Sequence, residues 1–300
     1  MKTFIAMTKR NVKLFFKDKG MFFSSLITPL ILLVLYATFL AKVYRDSFAS
    51  SVPQDFAVEN LSKMIDGLVG SMLLSSLLAV SCVTVAFCSN LIMVQDKYLG
   101  VRKDLLVTPV RKSTLSLSYF AATMFSTIIV CSVACVAGFI YLAAVGWYMS
   151  FADVCLTVLD MLILATFGTA LSSVVSTFLT TQGQMSAVGT VVSAGYGFIC
   201  GAYMPISQFG EGLRNVLGFL PGTYGTSLIK NHALSGVFGE MERQGFPEEV
   251  VRDIKGNVDC TVKFFGTEVS EGAAYAVFVC SVLLIIGFYV LINVLRKKRV

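Results

Sequence analysis

The 300 residues contain no GxxxxGK[ST] phosphate loop, so the chain does not bind nucleotide in that manner. Its single histidine, His232, excludes HExxH and any metal site with two histidine ligands. No GxSxG occurs, and no Ser-His-acid arrangement is signalled, so nothing points to an enzyme, a resident metal or a bound cofactor. Charge is scarce as well. Only 14% of residues are charged and 56% are hydrophobic, with a mean hydropathy of +0.77. A soluble domain carries about 25% charged residues. A chain so poor in polar surface cannot cover a water-soluble body, and lipid must cover the rest. Cysteine is present eight times but never as CxxC, and seven of the eight sit in apolar runs, where thiols act as small hydrophobes. Only Cys260 lies in a polar stretch, without a local partner.

What the chain does have is apolar length. Runs at 21–41, 68–94, 115–145, 153–179, 185–204 and 272–295 are each long enough to cross about 30 Å of hydrocarbon at about 1.5 Å per residue. The basic residues flank them. Lys2, Lys9, Arg10, Lys13, Lys17 and Lys19 precede the first run. Lys97, Arg102, Lys103, Arg111 and Lys112 separate the second from the third, and Arg296, Lys297, Lys298 and Arg299 follow the last. Only Asp18, Asp96 and Asp104 oppose these in the same segments, whereas acids outnumber bases at 42–67 and 205–271. The positive-inside rule then places both termini and the 96–113 loop in the cytoplasm, which requires an even number of crossings. The net charge of +6 is thus a membrane-boundary signal rather than a nucleic-acid face. The length of the first run and its amphipathic basic flank predict a retained anchor rather than a cleaved leader.

Residues 1–20 alternate apolar and basic positions at helical spacing, with Met1, Phe4, Ile5, Val12, Phe15 and Phe16 on one side. This predicts an interfacial amphipathic helix. In the cytoplasmic loop 96–113, a short helix around Val101–Val107 would be stopped before Pro109, and Leu105 and Leu106 would project from it. On composition alone the loop reads as a solvated connector rather than a peg for a partner's groove. After Met204–Pro205, two short apolar stretches, Ile206–Leu220 and Thr223–Leu234, flank Pro221–Gly222; residues 205–235 are expected to form a re-entrant hairpin containing Pro205, Glu211, Arg214 and Pro221. Residues 236–271 are polar and acidic and form an external cap, with a helix start at Phe246-Pro247-Glu248-Glu249. The fold class expected is an all-α integral membrane protein with six transmembrane helices, an interfacial N-terminal helix and a re-entrant hairpin between spans five and six.

Inside the spans, Asp160 is a carboxylate at a depth where a charge costs roughly 2.5–3.5 kcal/mol on insertion scales. It either lines a translocation path or lies shallow and solvated, with Asp153 nearer the helix end. Ser71, Ser75, Ser81 and Thr84 either soften a polar path or bond back to their own helix. Ser193, Gly197 and Gly201 recur at four-residue spacing, a pattern that permits close helix packing.

Three stretches in order resemble the permease subunit of type-2 ABC exporters, the family of drug, lipid and polysaccharide exporters. The segment through Phe15-Phe16-Lys17-Asp18 is similar to that family's connecting helix. Gly100 to Pro109, with Leu105, Leu106 and Thr108-Pro109-Val110, is similar to its coupling helix. Met204-Pro205-Ile206-Ser207, then Leu220-Pro221 and Tyr224, is similar to the close of its fifth span and its re-entrant helices. One departure is Asp96, where the family usually opens the loop with glutamate. The resemblance reverses the order of the two loop readings, peg before connector. It implies that Asp96, Gly100, Leu105, Leu106, Thr108 and Pro109 couple to a separate ABC ATPase, which carries the ATP and magnesium. It further implies a second permease copy or a related permease, a location in the cell membrane, and export of an amphipathic drug, peptide or lipid-like substrate. The alternative reading of the same residues is a stand-alone secondary transporter or channel; a non-transport membrane scaffold is a third.

Overall fold

A computed structural model describes residues 1–51 and 61–297. Asp55, Glu59, Lys298 and Arg299, used above in the charge comparison, lie outside the described residues. The chain is almost wholly helical. Helix α1 (Lys2–Lys17) ends at Asp18, whose carboxylate accepts a hydrogen bond from the Met21 amide and so caps α2 (Lys19–Leu35). A five-residue π-helical segment, Tyr36–Leu40, joins α2 to α3 (Ala41–Ser51) without a break.

Helix α4 (Leu61–Tyr98) is the axis of the molecule: it is 38 residues long, buried along nearly all of its length, and packs against α2, α6, α7, α8 and α10. Burial on all sides explains why its sequence shows no amphipathic stripe. Around it stand α6 (Lys112–Val145), α7 (Phe151–Phe178), α8 (Gln182–Ile199) and α12 (Glu271–Lys297). Between α4 and α6 lies the short α5 (Val101–Val107).

Five helical stretches among the described residues are long and apolar enough to cross a membrane: Lys19–Asp46, α4, α6, α7 and Glu271–Leu295. The chain is a multi-pass membrane protein. The run expected as the fifth span, 185–204, is the 18-residue α8, which stops at Ile199 and reaches about 27 Å. Gln182 and Gln184 at its start lower its hydropathy, and it is not among the five.

The region after α8 differs most from expectation. The first limb of the hairpin shrinks to a 3₁₀ turn, Ile206–Gln208, and the seven-residue α9 (Glu211–Leu217). The second limb grows into α10 (Pro221–Arg243), 23 residues long, which runs past the expected boundary at 235 and packs against α4, α7 and α12. Pro221 sits at its first position, where a missing N–H is harmless. The polar character of 236–243 had concealed the extension: that stretch faces the cap while Val237, Phe238 and Met241 are buried. Gly236 makes the packing feasible, because an added Cβ would lie 2.0 Å from the Tyr148 carbonyl oxygen. The cap is completed by α11 (Glu248–Asn257), which starts at the expected position, and by a two-stranded hairpin, β1 (Lys263–Phe264) with β2 (Thr267–Glu268).

Helices α1 and α5, the end of α4, the start of α6 and the end of α7 lie together at one end, and the cap lies at the other. Helix α1 does not simply rest on lipid. It buries Met7, Asn11 and Phe15 against the bundle, chiefly α6, leaving Ile5 and Phe16 exposed.

Candidate functional site

At the α5 end, two adjacent residues in the last turns of α4 tie the bundle together. Asp96 is buried, and its carboxylate accepts two hydrogen bonds from the Arg10 guanidinium of α1, at 2.7 and 3.1 Å. It accepts a third from the Tyr119 hydroxyl of α6 at 2.5 Å. A forked cation and a phenol are what a buried carboxylate needs to remain charged. The hydrogen bonds from Arg10 to Asp96 hold the guanidinium above its already high ordinary pKa. The next residue, Lys97, turns the opposite way. Its ammonium donates to the carbonyls of Ser176, Thr177 and Leu179 at 2.6, 3.0 and 3.1 Å, capping the C-terminus of α7. One dipeptide thus joins α4 to α1, α6 and α7.

Immediately beyond it, Gly100 takes φ +81°, the left-handed conformation that reverses the chain into α5. Leu105 and Leu106 were expected to project outward. They instead pack back, with Val110, on the apolar cluster formed by Phe15, Leu115 and Tyr119. A seven-residue helix makes only two turns, and its apolar pair covers the protein below it. The outward surface is Lys103, Asp104, Val107, Thr108 and Pro109, with Val107 89% exposed. The Thr108 hydroxyl donates to the Leu105 carbonyl at 2.5 Å and closes the end of α5.

Near the cap, Asp160 is 1% exposed and stands about 14 Å along α7. Its carboxylate meets Nδ1 of His232 on α10 at 2.6 Å and accepts from the Tyr275 hydroxyl of α12. The other ring nitrogen of His232 lies 3.1 Å from Glu271, the first residue of α12. The carboxylate is buried and bonded by side chains from two other helices, α10 and α12. Asp153 has a local role: its carboxylate accepts from the Ser150 amide while the Ser150 hydroxyl accepts from the Asp153 amide, a reciprocal cap for α7.

Ser75 and Thr84 are buried inside the bundle and bond back to their own helix, to the carbonyls of Met72 and Val80 at 3.0 and 2.9 Å. The structure does not bring them to Asp160's cluster. Pro205 precedes the 3₁₀ turn, Glu211 starts α9 and Arg214 lies in its last turn. Four functional candidates were not singled out from sequence: Arg10, Lys97, Tyr119 and His232. For His232 a signal existed, since a carboxylate within a span needs a partner and the only histidine lies in an apolar stretch. Among the described residues, no three His, Cys, Asp or Glu side chains are placed to hold a metal ion.

A family model for the ABC-2 type transporter matches residues 2–231. The chain belongs to the ABC-2 type transporter family. It is a permease subunit of an ABC transporter, and the matched region contains α1, the Asp96–Lys97 junction and α5. The match stops within α10, so most of the cap and α12 lie beyond it. Searches of curated proteins and of solved structures gave no significant match.

Proposed function

We propose that this permease subunit forms the membrane path of an ATP-driven exporter and is worked by a separate ABC ATPase that binds ATP and magnesium. The observation that carries the reading is the junction at Asp96–Lys97. A force applied to the exposed face of α5 reaches α4 through Gly100, α1 and α6 through Asp96, and α7 through Lys97. A buried ion pair and three carbonyl contacts transmit a push better than a solvated loop does, because packed elements shift as units. The ATPase groove would receive Val107, Thr108 and Pro109, while Leu105 and Leu106 hold α5 to the bundle.

In this arrangement the α5 end faces the cytoplasm of the cell membrane together with both termini, in line with the basic residues gathered there. Helix α8 would serve as the sixth crossing. Its outer face, including Val191 and Phe198, is exposed in the isolated chain, and a second permease copy or a related permease would cover it. The weakly charged spans fit an amphipathic drug, peptide or lipid-like substrate moving outward.

The test is purification of the tagged chain in mild detergent from its own host, followed by mass spectrometry of co-purifying proteins. Recovery of a stoichiometric phosphate-loop ATPase supports the reading. Its absence from a folded preparation contradicts it.

A further inference from the structure

A second site lies in the cap. A cavity of about 290 Å³ opens between α9, α10, α11 and the β1–β2 hairpin. Its wall carries four basic side chains, Arg214, Lys230, Arg252 and Lys263, and three acidic ones, Asp253, Asp259 and Glu268. Pairing removes most of these from play. Lys263 lies 3.5 Å from Glu268, and Lys230 lies 3.4 Å from Asp259. The Asp259 carboxylate is also shared with the Ile206 and Ser207 amides, at 2.5 and 3.0 Å.

Lys230 is 0% exposed, although an ammonium is among the most expensive groups to bury. Two of its contacts are accounted for, the Gly201 carbonyl at 2.8 Å and Asp259. An ammonium has three protons to give. Arg214 and Arg252 make no ion pair among the described residues, which leaves two guanidinium groups on the wall against the single unpaired carboxylate of Asp253. Guanidinium forks match the tetrahedral oxygens of a phosphoryl group. Beside the cavity, Leu213 and Val216 of α9, Phe219 in the turn that follows it, and Phe265 of the hairpin are exposed and apolar. Phe219 stands against Phe264 and Phe265 at ring distances of 5.0 and 6.1 Å, so the fringe is continuous from α9 to the hairpin.

We infer that the cap cavity is a binding site for a phosphoryl head group, with Arg214 and Arg252 as its ligands, the buried Lys230 ammonium adding positive charge behind the wall, and the Leu213–Phe219–Phe265 fringe as a seat for attached acyl chains. The same head-group chemistry is offered by a lipid and by free phosphate, and the fringe favours the lipid. The inference is independent of the ATPase reading, since binding is measured without nucleotide, partner or transport.

The purified full chain is titrated with dihexanoyl phosphatidic acid below its micelle concentration, with inorganic phosphate, and with dihexanoylglycerol, which lacks the phosphate. Arg252 is exposed on α11 and Arg214 is half-buried on α9, and neither makes an ion pair among the described residues, so Arg214→Gln and Arg252→Gln should fold normally, with unchanged melting as the check. Lys230 is left intact because removing it would strand Asp259. The expected result is saturable binding of the phosphatidic acid, weakened at least tenfold by each arginine variant and unchanged by Arg243→Gln elsewhere on the cap. Tighter binding of the lipid than of phosphate identifies a lipid head-group site; equal binding identifies a site for free phosphate. Equal binding of dihexanoylglycerol, no saturable binding, or insensitivity to both arginine variants would overturn the inference.

Discussion

Arg10 and Asp96 are 86 positions apart in the chain and are joined by two hydrogen bonds, at 2.7 and 3.1 Å. That pair, with the packing of α1 on α6 and of Leu105 and Leu106 on the cluster containing Phe15, makes the N-terminal helix part of the coupling region. Arg10→Gln strands a carboxylate whose only remaining side-chain donor among the described residues is Tyr119. Because Arg10 is itself about a third exposed, solvent screens part of the loss, and a destabilisation of about 2 kcal/mol is expected. Thermal unfolding of the purified variant measures it. The raised pKa of Arg10 means that its contribution is complete below the ordinary guanidinium range and fades only as pH rises through the folded value. Melting temperature should therefore show no loss from this residue between pH 6 and pH 9.

Asp160 and His232 should behave as one unit. Asp160→Ala leaves a buried imidazole facing a gap and is expected to cost about 3 kcal/mol. Asp160→Asn keeps the shape, so the chain should insert normally while export changes. In a double-mutant cycle with His232→Gln, the two losses should fall short of adding by about 1 kcal/mol or more. Simple additivity would show that the 2.6 Å contact contributes nothing.

Much of this arrangement was legible beforehand, for identifiable reasons. The spans are written in apolar length, which lipid demands, and the α5 loop in its flanking charge and Pro109. The partners of Asp96 and Asp160 were not legible, because ion pairs across 86 and 72 positions leave no local pattern. The orientation of Leu105 and Leu106 was misread for a related reason: whether an apolar pair on a short helix faces out or in depends on what lies beneath. Here that is Phe15 and Leu115, which sequence spacing does not place there. The extension of α10 was hidden because residues 236–243 are polar by composition yet bury every third or fourth side chain.

Gly236→Ala tests the close approach of α10 to the 146–150 turn. The new methyl carbon would meet the Tyr148 carbonyl at 2.0 Å, and relief requires movement of backbone, so a loss of about 1–3 kcal/mol is expected. Gly239→Ala, one turn on, meets nothing within 4 Å and should be neutral or stabilising by about 0.5–1 kcal/mol. Equal melting temperatures for the two variants would contradict the packing described.

Cys260 should be inert while the chain is folded. Burial pushes its thiol up to about 12, so it remains protonated throughout the working range. Treatment with a maleimide at pH 7.5, followed by peptide mass spectrometry, should leave Cys260 unmodified until detergent denaturation exposes it. Rapid labelling of the native protein would show that the cap is more open than described.

The most direct test of the coupling account is contact at Val107. A photo-crosslinking phenylalanine analogue is placed at position 107, and in parallel at Val133, another exposed position, in the middle of α6. Cells of the native host are irradiated, and the adducts are identified by mass spectrometry. The account predicts an adduct between position 107 and a phosphate-loop ATPase, with none from position 133. If position 107 yields no ATPase adduct while the protein is folded and in the membrane, α5 is not the contact that drives this permease, and the stand-alone transporter reading moves ahead.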